Sequence, residues 1–156
     1  VKVKLLLIGK TQENFVSEGF AIYKNRIKHY LPFEEVVIPA LKNTKNMKDA
    51  ELKQKEGQLI LKNVKNDDVV VLLDERGMLK DSKDFAQFME GQGNIGIKQL
   101  SFVIGGAFGF DQAVYARANF KLSLSKMTFS HQIIRVIFME QLYRAFTIIN
   151  KEPYHK

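Results

Sequence analysis

Residues 67–77 read D-D-V-V-V-L-L-D-E-R-G, from Asp67 to Gly77. Two acids turn the chain into Val69-Val70-Val71-Leu72-Leu73. A continuous apolar run of this length predicts a strand buried on both faces, and therefore a parallel sheet. Outward from it, strand-like and helix-like periods alternate. Val1–Ile8 predicts a strand. Glu13–Tyr30 places Val16, Phe20, Tyr23, Ile27 and Tyr30 on one helical stripe, with Pro32 closing the helix. Phe33–Pro39 predicts a second strand, and Asn46–Val64 a lysine-rich helix with Leu59 and Ile60 inward. Beyond the central run, Ser82 is placed to cap a short helix carrying Phe85, Phe88 and Met89, with Gly91 as its stop. Ser101–Ile104 predicts a strand, Asp111–Asn119 a helix and Phe120–Ser125 a short strand. Thr128 or Ser130 caps a last helix from His131 to about Asn150. This alternation predicts an α/β fold, a mostly parallel sheet with helices on both faces.

The 156 residues suit one domain with a sizeable core, spanning 1–156. No apolar run is long enough to span a membrane. The apolar N-terminus lacks a cleavage pattern and reads as a strand rather than a signal peptide. The chain has no cysteine, which excludes disulfides and thiolate metal sites and fits a reducing, cytoplasmic setting. The net charge is +7, unevenly spread. Residues 1–66 carry +6, residues 67–120 carry −3 and residues 121–156 carry +4. Basic ends around an acidic middle fit either a polyanionic partner or an ordinary lysine-rich surface.

In α/β sheets ligands sit beyond the carboxyl ends of strands, so three segments matter: Leu73–Gly77, Gly105–Gly109 and Ser125–Ser130. The second follows directly from a strand, in S-F-V-I-G-G-A-F-G-F. Gly105 and Gly106 permit a tight turn or close approach to a ligand. The loop has no Gly-Lys-Ser/Thr for a phosphate and magnesium, and its spacing misses the dinucleotide G-x-G-x-x-G. At Leu73–Gly77, Asp74 reads as a turn cap. Ser125-Lys126-Met127-Thr128-Phe129-Ser130 holds Met127 and Phe129 between hydroxyls, either buried under the last helix or forming the apolar floor of a pocket.

The last helix is apolar over most of its girth and needs partners on several sides, a second subunit being one. Arg144 has Glu140 four residues before it, the favourable ion-pair order. Arg135 has no such acid, and His131 lies on nearly the same face, which makes this pair a candidate for catalysis. The tail, Asn150–Lys156, is either a frayed terminus or a grip in which Tyr154 or His155 stacks on a base and Lys156 meets phosphate.

V-I-G-G-x-x-G, L-S-L-S-x-M-T-F-x-H, R-V-x-x-x-E-Q-L-Y-R-A and the terminal P-Y-H-K together resemble the ribosomal RNA large subunit methyltransferase H family. That family belongs to the SPOUT (α/β-knot) superfamily. The resemblance covers essentially the whole chain. It implies a C-terminal trefoil knot and a homodimer built largely on the last helix. It implies S-adenosyl-L-methionine held by Leu73, Gly105, Gly106 and the run Ser125, Lys126, Met127, Thr128, Phe129 and Ser130, with no metal. The implied reaction is methylation of N3 of a pseudouridine in 23S rRNA, on the assembled 70S ribosome. Ser130 stands where a proline is common in the family, and Glu75-Arg76 matches no signature of it.

An imide N3–H must lose its proton before its nitrogen can attack. His131 is the candidate acceptor, and Arg135 the candidate stabiliser of the developing anion. Tyr154, His155 and Lys156 would hold the target nucleotide, reaching a partner subunit's pocket. Two other classes fit the same residues. One is a non-catalytic ribosome-binding module whose pocket is blocked by Phe108 or Phe129. The other is a doubly wound nucleotide-binding enzyme of another kind.

Overall fold

The computed structural model describes residues 1–156. Five strands form one sheet in the order β2-β1-β4-β3-β5, every pairing parallel. They are β1 (Lys2–Ile8), β2 (Phe33–Ile38), β3 (Val69–Leu79), β4 (Gln99–Ile104) and β5 (Phe120–Ser123). The helices are α1 (Asn14–Ile27), α2 (Asp49–Lys62), α3 (Ser82–Asn94), α4 (Gln112–Arg117) and α5 (Ile133–Ile149).

Alternate strand residues feed two cores, because successive side chains point to opposite faces of a strand. Val3, Leu5, Leu7, Val71, Leu100 and Phe102 meet α1, α3 and α5 through Phe20, Phe85, Phe138 and Leu142. Leu6, Ile8, Val70, Leu72 and Val103 meet α2 and α4 through Ile60 and Val114. The run Val69–Leu73 therefore lies in the sheet interior, paired on both sides. At the opposite end of β3 from Gly77, Asp68 is almost fully buried. It accepts hydrogen bonds from Lys65 N (3.0 Å), Gln99 Nε2 (2.8 Å) and Ser101 Oγ (3.2 Å), with Lys4 Nζ at 3.8 Å.

Three local expectations are corrected. First, the chain does not leave the sheet at Leu73. β3 continues to Leu79, and its pairing with β5 shifts between Leu73 and Met78. The excursion exists because Gly77 lies directly on the β5 backbone: a methyl group there would sit 2.6 Å from Leu122 N, so only glycine allows the approach. Second, α3 runs through Gly91 to Asn94 and turns at Gly96, whose φ of +80° is the left-handed conformation that ends helices. Third, the cap of α3 is Asp81, which accepts from Asp84 N at 2.8 Å. Ser82 instead donates to Gln141 of α5 at 2.7 Å. Asp81→Ala is accordingly expected to cost about 1 kcal/mol of stability, read from urea unfolding midpoints, and Ser82→Ala to leave the helix cap intact.

Candidate functional site

The carboxyl ends of β3, β4 and β5 enclose a cavity of about 510 Å³, within the range that takes a small-molecule ligand. Leu73, Gly105, Gly106, Ser125, Met127, Thr128, Phe129, Ser130 and His131 all line it. The exposed Lys126 does not. Ile104, Leu122, Leu124 and Ile134 add apolar wall.

At Gly105 and Gly106 the glycine loop packs too closely on its neighbours to carry side chains. A methyl group at Gly105 would lie 2.8 Å from Phe110 Cε1, and one at Gly106 3.0 Å from Glu56 Oε1. Glu56 comes from α2, is half-buried and has no hydrogen-bond donor, and burial pushes its carboxyl above the usual range. The Ser125–Ser130 loop is held by its own hydroxyls. Ser123 Oγ donates to Ser125 O (2.8 Å), Ser125 Oγ accepts from Met127 N (2.9 Å), and Ser130 Oγ accepts from Ile133 N at the start of α5 (3.2 Å). Thr128 does not cap α5; its hydroxyl donates to Glu75 across the cavity wall (2.7 Å).

The sequence marks Leu73–Gly77 as a ligand-bearing strand end but gives Asp74, Glu75 and Arg76 no site role, and it gives no sign of Tyr115; all four line the cavity. Only the strand-end position of Asp74 was a signal, and it was read as a cap. That role is present, since Asp74 Oδ1 accepts from Arg76 N at 2.9 Å. Asp74 Oδ2 also accepts from the Tyr115 hydroxyl, and the Tyr115 hydroxyl oxygen in turn accepts from Arg76 Nη2 at 3.0 Å. Partial burial alone would raise the Asp74 carboxyl, but the bonds from Tyr115 and Arg76 N outweigh it and hold it below its ordinary value. Such a depressed carboxyl contributes stability above its unfolded pKa of about 3.9, lost as pH falls through the lower folded value. Tyr115→Phe removes one donor, so the Asp74 midpoint is expected to move upward in an NMR carboxyl titration.

Arg135 corrects the expectation of a cationic group at the cavity. It is fully buried and does not line the cavity. Its guanidinium donates to Ile8 O (2.7 Å), Gly9 O (2.9 Å), Thr11 Oγ1 (3.0 Å) and His131 O (3.1 Å). The acceptors it lacks in sequence are backbone carbonyls at the end of β1. Burial pulls its pKa down, with Glu35 acting in the opposite direction. His131 is exposed at the cavity, while Arg135 ties α5 to β1.

Arg144 instead meets the tail. It donates to Glu140 Oε1 from Nη2 (2.6 Å), lies 3.0 Å from His155 Nδ1 through Nη1, and stacks over the Tyr154 ring with its Cζ 4.8 Å from the centroid. Tyr154 donates to Glu140 Oε1 (3.0 Å) and packs edge-on against Tyr143. Burial, followed by bonding to Tyr23 and Glu140, pushes the Tyr154 phenol upward. Tyr30 donates to Glu152 (2.8 Å), and its own phenol is pushed up to about 12, by burial first. Lys156 is exposed. The tail is therefore docked rather than frayed, but not at the cavity. Ile134 lines the cavity and Arg144 is ten residues further along α5, about 15 Å at 1.5 Å per residue.

No helix is long and apolar enough to cross a membrane, and no cluster of three or more His, Asp or Glu residues gathers to hold a metal. The family described as "Predicted SPOUT methyltransferase" matches residues 1–155. Among curated proteins, the chain is similar to "Ribosomal RNA large subunit methyltransferase H" of Christiangramia forsetii, 52% identical over 98% of each chain. It is similar to the proteins of the same name from Parabacteroides distasonis (52% identical) and Bacteroides thetaiotaomicron (50%), over 99% of each chain. Among solved structures it matches "The structure of a probable methylase family protein from Haemophilus influenzae Rd KW20". That likeness has a TM-score of 0.53 at 15% identity, covers 96% of this chain and 66% of that one, and concerns the fold alone. With a parallel sheet, a glycine loop at its carboxyl edge and full-length matches of this strength, the chain belongs to the SPOUT methyltransferase family, among the ribosomal RNA large subunit methyltransferase H proteins.

Proposed function

We propose that the chain, as a single SPOUT domain in a cytoplasmic homodimer, methylates N3 of a pseudouridine in 23S rRNA on the 70S ribosome, with S-adenosyl-L-methionine as donor. The observation that carries this reading is the cavity at the ends of β3, β4 and β5, together with full-length similarity to proteins named for rRNA methylation. The residues present fit the donor. Gly105 and Gly106 line the cavity with bare backbone, Leu73, Leu122, Leu124 and Ile134 offer apolar wall for a nucleoside, and Asp74 and Glu75 put carboxylates beside a cationic ligand. When bound, the donor supplies an electrophilic methyl group on a sulfonium.

The chain's own part is positioning, which lowers the barrier by fixing the reacting pair in line. The hydroxyl-braced Ser125–Ser130 loop forms one wall and the glycine loop another. His131, at the cavity edge, is the proton acceptor for N3–H. Arg135 holds the start of α5, and hence His131, against β1.

The distance from Arg144 to the cavity supports a dimer in which each tail serves its partner's cavity. Phe15 and Ile22 on α1 are exposed, as befits a surface covered by a second copy. The strand order β4-β3-β5, with α5 packed against both α1 and α3, supports threading of the C-terminal segment as a trefoil knot. A cavity of this size argues against the blocked, non-catalytic module.

The test is transfer of labelled methyl from S-adenosyl-L-methionine to 70S ribosomes lacking this methylation, beside naked 23S rRNA and separated subunits. Label at one pseudouridine on 70S alone is the expected result. Donor binding without label would mean a different acceptor, and neither binding nor label would mean a non-catalytic protein.

A further inference from the structure

Two of the chain's most exposed large apolar side chains share one place. Phe108 is 52% exposed and Met127 76% exposed. They come from different loops, yet both line the cavity. A single exposed apolar side chain needs no explanation, but two at the mouth of one cavity do. The deeper wall already gives a nucleoside donor its apolar contacts through Leu73, Leu122 and Ile134. Beside the mouth stand two cations. The Arg76 side chain is 79% exposed, with its Cζ 5.9 Å from the Tyr115 ring centroid, and Lys121 Nζ lies 5.6 Å from that same centroid. The Arg76 guanidinium is steadied by Tyr115 while most of its donors still face solvent.

An aromatic face and a braced, exposed guanidinium at one opening match what an unpaired nucleotide presents. Single-stranded RNA is held by stacking its bases on aromatic rings and by meeting its phosphates with arginine and lysine. A base modified on its pairing edge must also leave its helix to reach the donor. We propose that this mouth seats the acceptor nucleotide, with Phe108 stacking on its base, Met127 covering the stack, and Arg76 with Lys121 receiving its phosphate. The inference rests on the methyl-transfer reading above and adds where the acceptor sits: on the same chain that holds the donor, opposite whatever a partner's tail contributes.

The experiment compares wild type with Phe108→Ala, Phe108→Trp, Arg76→Ala and Arg76→Lys. Three quantities are measured: the donor's Kd by calorimetry, kcat/KM on ribosomes lacking the methylation, and the salt dependence of KM. Phe108→Ala is expected to lower kcat/KM about ten- to a hundredfold with the donor's Kd and the salt slope unchanged, and Phe108→Trp to restore it. Arg76→Ala is expected to reduce the salt slope by about one, and Arg76→Lys to keep it. If Phe108→Ala weakens donor binding as much as it lowers kcat/KM, Phe108 is a wall of the donor site and the inference is wrong. Unchanged kcat/KM on ribosomes that wild type methylates overturns it equally, while leaving the proposed function standing. Failure of wild type to label any rRNA removes the function and this inference with it.

Discussion

Arg135→Met is expected to lower the unfolding free energy by about 4 kcal/mol, because hydrogen bonds to a charged group contribute about 1.5–3 kcal/mol each and buried acceptors left without a donor cost more. Met keeps the apolar stem but not the guanidinium, so a small cavity adds to the lost bonds. What is lost is the guanidinium donor set for Ile8 O, Gly9 O and the Thr11 hydroxyl, with the bond to Ile8 O buried and the other two half-buried. In a chain of this size that corresponds to a drop of roughly 8–16 °C in Tm, measured by calorimetry. Donor affinity and methyl transfer should fall together, because α5 and His131 lose their hold on β1. A variant of normal Tm that lost only transfer would return Arg135 to the chemistry.

The second large effect is expected at the other end of α5. Deleting residues 153–156 should lower methyl transfer to ribosomes at least about a hundredfold, the scale of losing groups that orient a substrate, while donor affinity and Tm stay near wild type. The Tyr154 and His155 side chains pack on the outside of α5, against Tyr143 and Arg144, rather than in either core. Stability therefore has little to lose, and chemistry has a positioned Arg144–Glu140–Tyr154 array to lose. The checks are single-turnover transfer with labelled donor and sedimentation velocity, the latter to compare the truncated chain with wild type for the proposed dimer. Truncation that lowers the sedimentation coefficient from that of a dimer to that of a monomer would make the tail an assembly element; unchanged turnover would make it a bystander.

How far these features could be read beforehand follows from where their partners lie. Val69–Leu73 was legible because burial on both faces writes itself as an unbroken apolar run, and α1 because Val16, Phe20 and Ile27 repeat at helical spacing. The continuation of β3 to Leu79 was not. Its cause is Gly77 crossing the β5 backbone, a contact between segments more than forty residues apart. Gly91 misled because a glycine inside a helix costs only about 1 kcal/mol and need not stop it, whereas Gly96 ends it by its left-handed conformation. The lining loops were legible as strand ends, and eight of the nine donor-site residues named from sequence share the cavity. Arg135 was misplaced because its acceptors are main-chain carbonyls, which every residue carries and none advertises. Arg144 was half-read: Glu140 is visible at i−4, but the tail's return to it is not.

The order of the strands also sets when a working site can exist. β3 is paired on both sides by strands that follow it in sequence, and its outer neighbour β5 arrives only after β4 has been laid on the inner side. Such distant pairings make for slow folding, and a nascent chain supplies its segments from the N-terminus onward. Until the stretch from Phe120 through α5 has emerged, two of the three loops face open solvent with no third wall to close them. During its own synthesis the protein is therefore a sheet without a pocket, unable to engage either substrate until its final helix is in place.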